Sequence, residues 1–75
     1  CYRIRRSKLQ EGDLVFFSGS SRSRHVGHVG IVTEVAGDGK SFQFVHAART
    51  GVQVDKSNSA YYSRRYLGAR RIVQE

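Results

Sequence analysis

Two short stretches decide how this chain folds: HVGIV at residues 28–32 and FVHA at residues 44–47. Each places one histidine inside an apolar run that favours a β-strand. The segment between them includes AGDGK at residues 36–40, whose glycines suit a tight turn, so the two stretches are predicted to pair as a hairpin. A buried imidazole is costly unless it is hydrogen-bonded or takes part in chemistry, which makes His28 and His46 the candidate functional residues.

The register of this hairpin decides whether the two histidines meet. If the numbers of paired residues add to an even value of about 74–76, His46 lies opposite His28 or Gly30 and both imidazoles share a face. Gly30 then leaves space where a side chain would crowd them. An odd value puts the histidines on opposite faces, and the loop length does not decide between the two. The even register places Phe42, Phe44 and Val32 on the histidine side, and Val29, Ile31, Val35 and Val45 on the other side.

The remaining segments predict a small α+β fold. Both faces of the hairpin are apolar, which is typical of a sheet that is covered on both sides or rolled into a barrel. We predict an antiparallel sheet or half-barrel of about five strands with one short helix. We expect residues 1–75 to form a single domain with an N-terminal arm at 1–8. The predicted elements are an edge strand or loop around Tyr2 and Ile4, strands at 14–17, 28–35, 42–47 and 52–54, a helix at 60–66 ended by Gly68, and a closing strand at 69–73.

The charge of the chain favours anionic partners. Thirteen lysines and arginines against six acidic residues give a net charge of +7. Nucleic acid, a membrane surface and an anionic cell-wall polymer all suit such a surface. A small basic β-barrel that binds nucleic acid without catalysis is therefore the alternative to an enzyme. The four phenylalanines stand in apolar strands, however, so we expect them in the core rather than stacked on bases.

Three features limit the chemistry available to the chain. Cys1 is the only cysteine, so neither an internal disulfide nor a cysteine-based metal site is expected. His25 and His28 are three residues apart, which on a strand points them to opposite faces, and no carboxylate is placed to complete a metal site. We therefore predict no metal and no cofactor. No apolar run approaches the ~20 residues that cross a bilayer as a helix, so no membrane span is predicted.

Five motifs in this order resemble the NlpC/P60 family of cysteine peptidases. Each motif is weak alone, but their order and spacing over residues 9–73 are specific. They are LQEGDLVFF at 9–17, HVGIV at 28–32, FVHA at 44–47, GVQV at 51–54 and YLGARR at 66–71.

The resemblance implies a papain-like fold in which a helical half carries the nucleophilic cysteine and an antiparallel sheet carries the histidines. It implies cleavage of peptidoglycan stem peptides, typically at the bond after D-glutamate, in the cell envelope, the periplasm or outside the cell. Any targeting segment then lies outside these residues. His28 matches the catalytic histidine, and His46 matches the third polar residue, which orients it.

The nucleophile departs from the family pattern. The family's cysteine lies in an Asp-Cys-Ser-Gly-like motif at a helix N-terminus, several tens of residues before the match to Gly12 and Asp13. Cys1 stands close to Gly12 and is followed by Tyr-Arg-Ile, so the nucleophile role is not carried over to it. We therefore expect the sheet half of such a domain, inactive on muropeptides by itself. Its exposed apolar face is expected to bind the missing helical half or a second copy of the chain.

Overall fold

A computed structural model describes residues 2–20 and 22–72 and shows an open antiparallel sheet of six strands with one short α-helix. This arrangement confirms the predicted α+β class. The strands lie in the order β1-β6-β2-β3-β4-β5. They are β1 (Tyr2–Ile4), β2 (Leu14–Ser18), β3 (Val26–Val35), β4 (Phe42–Ala48), β5 (Gly51–Lys56) and β6 (Tyr66–Arg71), with a 3₁₀ turn at Arg6–Lys8 before β2 and helix α1 (Ala60–Arg65) between β5 and β6.

The end of the helix differs from the prediction. Gly68 does not stop α1, because the helix ends at Arg65 and β6 begins at once with Tyr66. Gly68 lies inside this strand and pairs with Phe16 of β2. The closing strand therefore starts three residues earlier than predicted, and Val73, its predicted last residue, lies outside the described residues. Within the predicted N-terminal arm, Tyr2–Ile4 forms an edge strand that pairs with β6.

A β-bulge in the central hairpin sets the register at the histidines. Close to the turn, Val35 pairs with Phe42, which is the odd register. The register shifts by one residue between Val32 and Glu34, and Gly30 then lies opposite His46 in the even register. A bulge adds one residue to one strand and so moves the side chains beyond it to the other face. This bulge corrects the prediction for Val35, which packs against the core on the histidine side.

The core lies on the histidine side of the sheet. Val15, Phe17, Val32 and Phe44 are almost completely buried there, and burial of each such side chain contributes about 1.5–3 kcal/mol. Helix α1 and the residue that follows it cover part of this face, with Tyr62 and Tyr66 packed against the cluster. The remaining buried apolar residues of the cluster are Ile4, Leu9, Phe42 and Ala69.

A buried ion pair joins the beginning of β2 to the end of β6. Asp13, just before β2, accepts hydrogen bonds from Nε of Arg71 at 2.8 Å and from the backbone N–H of Gln10 at 2.9 Å. The Arg71 hydrogen bonds are the main cause that lowers the pKa of Asp13. Because Asp13 is buried, this pair holds the beginning of β2 against the end of β6.

The opposite face of the sheet is apolar and open to solvent. Val29 and Ile31 are each 46% exposed and Val54 is 54% exposed. Ile31 lies opposite Val45, and Val45 lies opposite Val54, so these side chains form a continuous row across three strands. We call Val29, Ile31, Val45 and Val54 the open apolar face.

Candidate active site

His28 and His46 meet on the core side of the sheet. Nε2 of His28 lies 2.6 Å from Nδ1 of His46, a hydrogen-bond distance, and the two rings are perpendicular with centroids 4.8 Å apart. The bulge in β3 produces this contact, because it brings the even register to Gly30 and His46. The two imidazoles that the sequence analysis selected are therefore direct partners, and Nδ1 of His28 is the ring nitrogen that this bond leaves free.

Aromatic side chains surround this pair. The rings of Phe44 and Tyr62 lie 4.9 Å and 5.4 Å from that of His46, and they also pack on each other at 5.0 Å. The side chain of His46 is only 1% exposed, whereas His28 is half-buried and reaches the surface. Burial is the main cause that lowers the pKa of His28, and the neighbouring His46 adds to it. At neutral pH, His28 is therefore mainly neutral and able to accept a proton.

Asp55 of β5 continues the row of polar contacts. Its Oδ2 lies 2.6 Å from Nε2 of His46, and Nε2 of Gln53 donates to the same oxygen at 2.6 Å. The hydroxyl of Tyr62 lies 3.4 Å from Nε2 of His46. The Gln53 hydrogen bond is the main cause that lowers the pKa of Asp55, and the bond to His46 is next. Asp55 is therefore ionised at neutral pH.

Asp55 was not predicted from the sequence as a site residue, although the spacing of residues along its strand contains the signal. Residues 53 and 55 are two apart on a strand and so share a face. Gln53 pairs with His46, and Asp55 pairs with Phe44, which places both side chains on the histidine side. Asp55 takes no part in capping the helix that follows, because the N-cap of α1 is Ser59, whose side chain accepts from the backbone N–H of Tyr62.

Gly30 provides space for a different neighbour than predicted. A Cβ atom at this position would lie 2.7 Å from Cδ2 of Phe44, far inside van der Waals contact, and 3.2 Å from the carbonyl oxygen of Val45. The glycine therefore makes room for the Phe44 ring rather than for the imidazoles. Because Phe44 packs on His46, the glycine still supports the site through that ring.

A cleft of about 280 Å³ opens over the two histidines. Two arginines line it, Arg49 after β4 and Arg65 at the end of α1, and the guanidinium of Arg65 lies 3.8 Å from the centre of the Tyr61 ring. Ser18 also lines the cleft, but its hydroxyl donates to the carbonyl of Ser20 at 2.6 Å. The cleft thus combines a basic imidazole with positive charge suited to carboxylates.

The other sequence candidates lie elsewhere. His25 is exposed and precedes β3, and residues 2–20 and 22–72 contain no group of three potential metal ligands. Phe17, Phe42 and Phe44 are in the core, as predicted, and do not form a stacking surface. The prediction is wrong for Phe16, which is only partly buried and pairs with the half-exposed Val29, so it lies on the other face of the sheet. Cys1 lies outside the described residues. Over the part of the chain that the structure describes, no helix is long and apolar enough to cross a membrane.

Comparison with known proteins identifies the class that this sheet and histidine pair represent. The NlpC/P60 family model matches residues 1–71. The chain belongs to the NlpC/P60 family, which confirms the resemblance of the five motifs. Their order along the chain was therefore a reliable signal.

Curated relatives from Escherichia coli match nearly the whole chain. Over 72 residues it is 40% identical to murein DD-endopeptidase MepH of strain K12, covering 93% of this chain and 24% of that protein. It is 39% identical over 72 residues to murein DD-endopeptidase MepS/murein LD-carboxypeptidase of the same strain, covering 93% of this chain and 33% of that protein. The chain thus spans about a quarter to a third of the length of these relatives.

Proposed function

We propose that this chain is the sheet part of a murein endopeptidase of NlpC/P60 type, in which His28 is the general base and His46 orients it. The 2.6 Å contact between the two imidazoles at the floor of an open cleft carries this proposal. The membership of the family and the names of the relatives support the same class of reaction.

The proposed mechanism uses the free nitrogen of His28. Nδ1 of His28 accepts the proton of a cysteine thiol, and the thiolate attacks the carbonyl carbon of a stem-peptide bond. The same imidazolium then gives its proton to the departing amine as the peptide bond breaks, which leaves a thioester. Water, deprotonated by His28, hydrolyses the thioester and restores the thiol. His46 holds the imidazole in place through the Nε2 contact, as the third residue of a catalytic triad does.

The nucleophile is proposed to come from the helical segment of the family's domain rather than from Cys1. Ser18 is engaged with Ser20, and no other non-tyrosine hydroxyl and no thiol lines the cleft among the described residues. We therefore expect no muropeptide turnover by residues 1–75 alone. Turnover that survives Cys1→Ala but is lost in His28→Ala would overturn this expectation, because another nucleophile would then be present.

The substrate is proposed to be the stem peptide of peptidoglycan in the cell envelope. Arg49 and Arg65 give the cleft a positive charge, which suits the free carboxylates of such peptides. Both E. coli relatives are named as DD-endopeptidases, so we propose a DD bond of the stem peptides as the site of cleavage, in place of the bond after D-glutamate. For a protein that acts on this polymer, we propose a location in the periplasm or outside the cell.

We propose that the helical half of the family's domain contacts both sides of the sheet, so that its cysteine meets His28 on the histidine side and another part of it covers the open apolar face. Most of the length of the E. coli relatives lies outside the matched region, which leaves room for such a segment. Val29, Ile31 and Val54 are about half exposed, and a row of aliphatic side chains this large is rarely left in water. Ile31→Asp in the full-length protein should lower solubility or stability. A self-associating wild-type protein that Ile31→Asp turns into a monomer would instead identify a second copy as the occupant.

Digestion of purified murein by the full-length protein tests the proposed function. Released muropeptides are separated and identified by mass spectrometry for the wild type, His28→Ala and the matched control His25→Ala. Loss of a general base costs about 10²–10⁴-fold, so His28→Ala should reduce the rate at least about 100-fold while the control retains it. Undiminished cleavage by His28→Ala would reject the proposal. Salt-dependent binding of oligonucleotides without any murein cleavage would favour the nucleic-acid alternative.

A further inference from the structure

We propose that Asp55 is a positioning residue that fixes which nitrogen of each histidine carries the proton. This inference rests on the proposed function of His28 as the base, and it adds a residue to that site. Three side chains stand in a row, with Oδ2 of Asp55 2.6 Å from Nε2 of His46 and Nδ1 of His46 2.6 Å from Nε2 of His28. Asp55 therefore acts on His28 only through His46.

The direction of the hydrogen bonds follows from the carboxylate. A neutral imidazole has one N–H and one lone pair, and an ionised carboxylate only accepts. Nε2 of His46 must therefore donate to Asp55, and its Nδ1 is left to accept. Nε2 of His28 then donates to that nitrogen, and Nδ1 of His28 keeps its lone pair. The tautomer of both rings is thus determined at the far end of the row, at Asp55.

The side chains around Asp55 favour the ionised acceptor. Nε2 of Gln53 donates to the same oxygen at 2.6 Å, and Oγ1 of Thr50 donates to Oε1 of Gln53 at 3.1 Å. The Thr50 contact turns the amide of Gln53 so that its NH₂ group faces the carboxylate. Both Gln53 and Asp55 belong to β5, so one strand supplies the acceptor and its support.

Tyr62 is the other titratable group next to Nε2 of His46. Burial is the main cause that raises the pKa of Tyr62, and the negative charge of Asp55 adds to it, so the phenol is neutral at neutral pH. Its oxygen lies 3.4 Å from Nε2, compared with 2.6 Å for Asp55. A neutral hydroxyl either donates or accepts, so without Asp55 it does not impose one tautomer on His46.

Without Asp55, no group should fix which ring nitrogen of His46 carries the proton. If His46 then protonates at Nδ1, it donates to Nε2 of His28, and the proton of His28 moves to Nδ1. That nitrogen is the one that must accept the thiol proton, so this fraction of the protein is inactive. Because Asp55 does not touch the substrate, kcat should fall without a change in KM.

Nuclear magnetic resonance reads the tautomers directly. Two-bond ¹H–¹⁵N spectra of the full-length protein, labelled with ¹⁵N-histidine, are compared for the wild type, Asp55→Ala and Asp55→Asn near pH 7.5. Asp38→Ala is the matched control, because Asp38 is a carboxylate that accepts from the backbone N–H of Lys40 in the hairpin turn. We expect His28 and His46 to carry the proton on Nε2 in the wild type and in the control. In Asp55→Ala we expect a mixture of Nε2–H and Nδ1–H tautomers for these two histidines.

Asp55→Asn tests the acceptor separately from the charge. Its carboxamide oxygen is able to occupy the place of Oδ2 between Gln53 and His46, so the Nε2–H tautomer should persist. In murein digestion we expect Asp55→Ala to lower kcat about tenfold to a hundredfold, by analogy with the loss of a hydrogen-bond partner that orients a metal-binding histidine. Asp55→Asn should recover most of that loss.

Three results would overturn this inference. They are an Nδ1–H tautomer of His46 in the wild type, an unchanged tautomer in Asp55→Ala, and an Asp55→Asn variant as slow as Asp55→Ala. The wild-type spectrum decides the first point even if Asp55→Ala does not fold. The spectra need no turnover, so absence of murein cleavage would reject the proposed function alone. Cleavage that needs His28 but not Asp55 would reject this inference alone.

Discussion

Replacement of Gly30 by alanine should destabilise the protein although it adds only one methyl group. The new Cβ would lie 2.7 Å from Cδ2 of Phe44, about 0.7 Å short of the 3.4 Å at which ordinary contact begins. The Phe44 ring has little room to move, because it is fully buried and packs on Phe17 at 4.9 Å and on Tyr62 at 5.0 Å. Overpacking of this kind costs about 1–3 kcal/mol.

Alanine also lowers the conformational entropy of the unfolded chain, which stabilises the folded state, but this gain in free energy does not offset the cost of overpacking. A glycine-to-alanine change at an unstrained position stabilises by about 0.4–1 kcal/mol through the unfolded state. Gly37→Ala is therefore the matched control, since a Cβ at Gly37 in the hairpin turn meets nothing within 4 Å. Measured by urea denaturation, Gly30→Ala should lower the free energy of unfolding by about 1–3 kcal/mol, and Gly37→Ala should leave it equal or slightly higher.

Gly30→Ala should also disturb the geometry of the candidate active site. The Phe44 ring lies 4.9 Å from His46, so a displaced ring moves the residue that holds His28. We expect slower murein cleavage by Gly30→Ala even under conditions where it is fully folded. A Gly30→Ala variant that unfolds at the same urea concentration as the wild type would refute the packing argument.

Three further predictions concern titration and stability. Because the pKa of His28 is lowered by burial and by His46, its NMR titration midpoint should lie below 6.5 in the folded protein and rise in urea; an equal or higher folded midpoint contradicts this. Ser59→Ala removes the cap of α1 and should cost about 1 kcal/mol in urea denaturation, whereas Ser59→Gly should cost only a few tenths. The pKa of Asp13 is lowered chiefly by Arg71, so the stability advantage over Asp13→Asn should be full at pH 7, where the carboxylate is charged. It should disappear as the pH falls below 3.8 and through the lowered pKa, and an advantage that persists there would contradict the pairing.

In the central hairpin, sequence patterns predicted the strands and their pairing but not the register. Apolar runs of strand character identified the strands of His28 and His46, and the glycine-rich turn identified their pairing. The face that each histidine occupies depended on one bulge between Val32 and Glu34. No residue type in the sequence marks the position of this bulge. Without it the odd register at the turn would continue, and the two imidazoles would point to opposite sides.

Asp55 illustrates a second kind of limit. Its position depends on β5 pairing with β4 in a register that puts Gln53 opposite His46. The sequence indicated a short strand at 52–54, but the strand runs from Gly51 to Lys56 and so includes the carboxylate. Elements defined by local patterns were therefore predictable, whereas contacts made across three strands required the structure.

Strand β6, the last of the described strands, lies between β1 and β2. Tyr2–Ile4 pairs with no other strand in the described sheet, and one edge of β2 stays unpaired until Tyr66–Arg71 arrives. Synthesis proceeds from the N-terminus, so β1 is made before the other described strands and has no partner strand in the sheet until β6 has been made. Pairings this distant in sequence slow folding and leave an unpaired strand edge exposed to aggregation in the meantime. The sheet is thus completed late, and a nascent chain that stops before Tyr66 lacks the strand that joins β1 to β2.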